Sequence, residues 1–165
     1  MVTSYPILFS YQDILAGNGF VAGVEVRGRY LMVQEDEGSW AHGVNPGGLS
    51  AGGASQKEAA AAFRDMYRKA LFDIIEEAAT IDELRTEVAN FVQQTNGYYA
   101  EAWREAVILV REGKLTSDWL ETQKAEEVQV LVTELVLEEI ENEESGTVRR
   151  PTPSQNQVEH LVQAA

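Results

Sequence analysis

The sequence predicts an α+β fold: an antiparallel β-meander covered by a long helix, with additional helices and an acidic C-terminal arm. Three observations lead there. Apolar and polar residues alternate in short runs across positions 20–44. A capping signature at Ser55 and Glu58 opens a helical stripe that continues to Ala78. Acidic side chains concentrate in residues 116–145.

The elements follow in order. Residues 5–9 suit an edge strand. Residues 20–26 (FVAGVEV), 29–35 (RYLMVQE) and 39–44 (SWAHGV) read as three strands, with tight turns at Arg27-Gly28 and at residues 35–38. Residues 49–52 form a further short extended piece. The glycines at 43, 47, 48, 52 and 53 precede a helix start, where an anion could sit. Their spacing matches neither the dinucleotide fingerprint nor the Walker loop, so a structural strand-to-helix corner is expected. Ser55 caps the helix, and Ala59, Ala62, Phe63, Met66, Tyr67, Ala70, Leu71, Ile74, Ile75 and Ala78 recur on its apolar stripe. Thr80 with Glu83 opens a second helix, carried by Ile81, Leu84, Val88, Phe91 and Val92. A third stripe through Tyr99, Ala102, Trp103, Ala106, Val107 and Val110 ends at Gly113 in a left-handed position.

Residues 126–140 satisfy two periods. Val128, Val130 and Val132 alternate as in a strand, whereas Val128, Leu131, Val132 and Leu135 also fit a helix; a strand at the start and a helix later is the expectation. Beyond it come a polar linker with two prolines and a short terminal helix from Ser154. The chain divides on this reading into a core with helical extension (1–115), an acidic arm (116–145) and a linker with terminal helix (146–165).

Charge bounds the function. The net charge is −14, and residues 116–145 hold ten acids against Lys124, a net of −9 that leaves −5 elsewhere. Such a surface repels a phosphate backbone, so direct nucleic-acid binding is not expected and a basic protein partner is. With no cysteine, thiolate chemistry and disulfides are excluded. The first twenty residues have no basic stretch and only a three-residue apolar run, so no membrane span is expected and a cytoplasmic protein is. Glu35, Asp36 and Glu37 could offer oxygen ligands to Mg2+, the basis of a metal-dependent nuclease reading. Successive strand residues face opposite ways and converge poorly, so no catalytic, cofactor or metal site is expected.

Partner contact is the better use of the remaining residues. Trp40, His42 and Val44 share one face of one strand. Trp119 stands at the edge of the acidic segment as an interface anchor, and Val128, Val130 and Val132 form an apolar ridge that another chain could cover. That ridge makes a homo-oligomer the expectation, and a structural homo-oligomer the alternative function.

The run RYLMVQEDEGSWAHGVNPGGLSAGGASQKEAAAAFRDMYRKAL, residues 29–71, resembles the core of HicB-like proteins: a hairpin, a strand leading into a Pro-Gly loop, a short extended piece, then Ser-x-x-Glu-Ala opening the main helix. The resemblance implies a partial RNase H-like sheet with one helix packed across it. It also implies an antitoxin-type binding module without the RNase H carboxylates, which silences a small basic RNA-cleaving toxin. Many members carry a DNA-reading C-terminal element. Here Gln129, Leu131 and Thr133 supply no basic side chain for that task.

Overall fold

The computed structural model of the chain describes residues 1–125, 127–136 and 160–164. It is an α+β molecule with a mostly antiparallel mixed sheet and, among the described residues, three helices. The strands are β1 (Thr3–Ala16), β2 (Val21–Glu35), β3 (Gly38–Asn45), β4 (Ser50–Gly53), β5 (Glu121–Gln123), β6 (Gln129–Leu135) and β7 (His160–Ala164). The helices are α1 (Gln56–Glu77), α2 (Ile81–Gln93) and α3 (Gly97–Arg111). The sheet order is β4-β3-β2-β1-β7-β5, with β6 on the same edge of β2 as β3; only the β5–β7 pair is parallel.

The two long strands form the frame. β1 and β2 pair over their whole length, from Thr3 opposite Gln34 to Ala16 opposite Val21. Their hairpin turns at residues 17–20, where Gly17 N–H donates to Phe20 O at 2.9 Å and Gly19 takes φ +87. Residues 27–28, expected as a turn, instead lie inside one continuous β2. Gly28 is there for space: a Cβ would stand 2.5 Å from both Asn45 O and the Phe9 ring. Residues 5–9, expected at an edge, lie inside the sheet, between β2 and β7.

Strand alternation sorts the side chains into two layers. Ile7, Phe9, Tyr11 and Leu15 of β1, with Val24, Val26, Tyr30 and Met32 of β2, face α1 and α2. Leu8, Leu31 and Val44 face the other way and pack with Ala100, Trp103, Ala106 and Val107 of α3. α1 buries Ala59, Phe63, Tyr67, Leu71 and Ile75 at steps of four. Its cap is as the sequence foretells, with Glu58 N–H donating to Ser55 Oγ at 3.2 Å; the reciprocal arm is one residue earlier, Ala54 N–H to Glu58 Oε2 at 3.0 Å. α2 repeats the device, from Glu83 N–H to Thr80 Oγ1 and from Ala79 N–H to Glu83 Oε2. α3 closes on Gly113 at φ +68, with Gly113 N–H bonded to Val110 O and Lys114 N–H to Leu109 O, the paired bonds of a Schellman ending.

The acidic segment joins the same sheet. Residues 129–135 are strand β6, paired antiparallel with residues 21–27 of β2, and Arg85 Nε of α2 donates to Val132 O at 3.2 Å. The helix expected after residue 135 falls mostly outside the described residues, as does most of the terminal helix expected from Ser154. Where that helix is described, residues 160–164, it is replaced by β7, which enters between β1 and β5. No described helix is long and apolar enough to cross a membrane.

Candidate partner-binding surface

One strand, β3, and the start of α3 build a row of flat rings. On β3, period two puts Trp40, His42 and Val44 on the α3 side. α3 begins directly above them, because Asn96 caps it by accepting Tyr99 N–H on Oδ1 at 3.3 Å. This start places the Tyr99 ring on His42, with centroids 4.3 Å apart and planes within 7°, and His42 in turn lies parallel to Trp40 at 6.0 Å. Tyr98 meets Tyr99 edge-on at 5.2 Å and extends the row outward.

Neighbours hold the rings in place. Ser50, directly across on β4, has its Oγ 2.9 Å from His42 Nδ1. Gly52 lies opposite Trp40 and leaves the indole room: a Cβ there would meet the ring at 3.2 Å. The outer rings remain open, with Trp40 44 % and Tyr98 78 % exposed. Burial lowers the pKa of His42, opposed in part by the Glu35 carboxylate, so the imidazole is neutral at pH 7. Glu35, Asp36 and Glu37 are all exposed at the β2–β3 turn, and the amino terminus of Met1 contacts Asp36 Oδ1 at 3.1 Å. Among the described residues, no group of three or more His, Asp or Glu side chains is arranged to hold a metal ion.

A surface of this kind has a definite chemistry. Open π-faces attract cations electrostatically, and the carboxylates beside them add to the attraction for lysine or arginine side chains. The pair Trp40 and His42 expected for partner contact does come together here. Val44 is on the same face but is only 2 % exposed, packed in the layer beneath α3 and not on the open surface. Trp119 is elsewhere: its Nε1 donates to Gln56 Oε1 at 2.6 Å, at the start of α1 on the opposite face of the sheet. Val128, Val130 and Val132 are also accounted for within the chain. Val130 and Val132 pair with Val26 and Val24, and all three pack against the layer under α1 and α2. The ridge expected to need a second chain is thus largely covered by the first.

Sequence reasoning missed Tyr98 as a surface residue and the contact of Tyr99 with His42. Tyr99 fitted the inner stripe of α3, and the available signal was Tyr98 itself, an aromatic residue one step off that stripe. The glycine loop is a packed corner. A Cβ on Gly43 would meet Pro46 O, one on Gly47 would stand 2.3 Å from Asn96 N, and one on Gly53 would stand 2.5 Å from Ala59 N. Gly43 N–H and Gly47 N–H donate to Leu49 O and Gln94 O, so those loop donors are already used. Set against known proteins, the chain matches no family model, no curated protein and no solved structure.

Proposed function

We propose that this chain is a non-enzymatic, HicB-like binding module that engages a basic protein partner through the ring row on β3 and α3. The observation that carries the reading is the parallel stack of Trp40, His42 and Tyr99, with Trp40 and Tyr98 exposed at its ends, close in the chain to the exposed carboxylates Glu35, Asp36 and Glu37. Lysine and arginine side chains of the partner lie on Trp40 and Tyr98, and the net charge of −14 steers their approach. The likeness of residues 29–71 to HicB-like antitoxins supports a partner of one kind, a small basic RNA-cleaving toxin.

Fluorescence anisotropy with arginine-rich and charge-neutral peptides of equal length tests the contact. The basic peptide binds, weakens as salt rises, and loses about tenfold or more in affinity with Trp40→Ala or Tyr98→Ala. Equal binding of both peptides, or binding indifferent to the two substitutions, would refute it. Co-expression with a basic reading frame adjacent in the genome tests the antitoxin role by rescue of growth.

A second reading, a structural homo-oligomer, is favoured by one observation. Ile14 on β1 and Leu131 on β6 share the α3 side of the sheet beyond the reach of α3, and are 47 % and 58 % exposed. Light scattering on wild type and Leu131→Glu decides it: a dimer converted to a monomer supports self-association, and a monomer in both rejects it.

A further inference from the structure

The edge of β2 has a gap. β3 pairs with it from Arg29 upward and β6 from Arg27 downward, so Gly28 between them is paired with neither strand. A cavity of about 270 Å3 lies at this point, just below the usual volume of small-molecule sites (about 300–1,000 Å3). The sheet contributes Leu8, Ser10, Arg27 and Arg29, and the connection from β5 to β6 contributes Glu127 and Val128. Leu8 and Val162, which also lines it, belong to the layer under α3.

Arg29 is the unusual member. Its Nε is shut off from solvent and has no hydrogen-bond partner, and its guanidinium lies 5.2 Å over the Trp103 ring. No ion pair joins it to a carboxylate among the described residues. Burial lowers its pKa; Glu127 opposes this and Arg104 adds to it. Arg29 nevertheless lines the cavity, and a half-desolvated cation gains from a carboxylate, whose two oxygens match the guanidinium fork. Glu127 sets a condition on that ligand. Its carboxylate lines a wall that also carries Arg27 and Arg29, so a ligand with an ammonium group beside its carboxylate meets a partner of opposite charge at each end. Leu8, Val128 and Val162 complete the site with apolar walls, suited to a short hydrocarbon chain.

We propose that this cavity binds a free aliphatic α-amino acid as its zwitterion, with the carboxylate on Arg29, the ammonium on Glu127 and the side chain against Leu8, Val128 and Val162. The site is separate from the ring row and does not depend on the reading given to it.

Isothermal titration calorimetry on the full chain tests this with L-leucine, L-valine, 4-methylpentanoate (carboxylate only), 3-methylbutylamine (ammonium only) and inorganic phosphate. Leucine or valine binds, and each single-charge analogue is about tenfold or more weaker, as expected when one charge-assisted contact is lost. Glu127 is exposed, so Glu127→Gln keeps the fold while bringing leucine and 4-methylpentanoate to the same affinity. Arg29→Gln abolishes binding of both, with circular dichroism checking its fold; if it unfolds, the Glu127→Gln comparison decides alone. Absence of binding by any aliphatic amino acid, tighter binding of phosphate than of leucine, or a preference for leucine that survives in Glu127→Gln would each overturn the assignment.

Discussion

Two buried tyrosines under α1 are expected to respond to the same substitution with opposite signs. Tyr67 is 1 % exposed, and its hydroxyl has no hydrogen-bond partner. A buried polar group left unsatisfied costs about 1–3 kcal/mol, while the ring itself is well packed: Tyr11, Phe9 and Phe91 have their centroids at 5.0, 5.4 and 5.6 Å. Tyr67→Phe keeps every ring contact and removes the orphaned hydroxyl. We expect a gain of about 1 kcal/mol, a rise in Tm of about 2–4 °C for a chain of this size. Tyr11 differs in one bond. Its hydroxyl donates to Asp13 Oδ2 at 2.7 Å, and Asp13 is 8 % exposed. Tyr11→Phe leaves that carboxylate with the Ile14 N–H at 2.8 Å and the more distant Arg68 Nε at 3.8 Å. A hydrogen bond to a charged group is worth about 1.5–3 kcal/mol, so the expected loss is about 2 kcal/mol, and Tm falls by about 4–8 °C. Urea unfolding of both variants and of the double mutant, with m unchanged, gives the free energies and their coupling. A loss above about 1 kcal/mol in Tyr67→Phe, or no loss in Tyr11→Phe, would refute the assignment of which hydroxyl is bonded.

Further outcomes are expected. Burial raises the pKa of both tyrosines above 10.0, so above pH 10 the unfolded chain releases protons that the folded chain keeps; stability therefore falls as pH rises past 10, less steeply in Tyr67→Phe, as alkaline urea titrations will show. His42 has the reverse dependence: its folded pKa lies below 6.5, so its contribution is complete above pH 6.5 and is lost as pH falls toward the folded value, and His42→Gln flattens Tm against pH in that window. Gly43→Ala places a methyl group on Pro46 O and is expected to cost about 2–4 kcal/mol in calorimetric unfolding, whereas Gly48→Ala, with nothing within 4 Å, stays within about 0.5 kcal/mol. RNA and DNA incubated with Mg2+ or Mn2+ should remain intact, and turnover that disappears in Glu35→Gln or Asp36→Asn would reverse the non-enzymatic reading.

The helices were legible because their signals are local. Ser55 with Glu58, Thr80 with Glu83, and Gly113 each mark a boundary through bonds within a few residues, and each boundary stands where those residues put it. The strands were less so, because a glycine has two uses. Gly28 reads as a turn residue, but what selects it is the approach of Asn45 and Phe9, both remote in sequence. β5 and β7 have three and five residues and no periodicity of their own; they are defined by pairing, β7 with β1 and β5 with β7. Strand alternation correctly joined Trp40 to His42. Whether Val44 and Val128 to Val132 are open or covered depends on where α3 and β2 lie, which no local pattern encodes.

The placement of β7 has a consequence for how the sheet forms. Among the described residues β5 is attached to the rest of the sheet through β7 alone, and β7 docks on β1 by pairing Ile7 with Gln163, which closes a loop spanning most of the chain. Contacts of such separation reward the chain only after the entropy of closure has been met. The β1–β2 hairpin, whose partners are joined by a four-residue turn, can assemble early; β5 has no edge to pair with until β7 has arrived. In pulse-labelled hydrogen exchange, amides of residues 121–123 should therefore gain protection together with those of residues 160–164 and after those of β2, and under native conditions the same two strands should open as one unit.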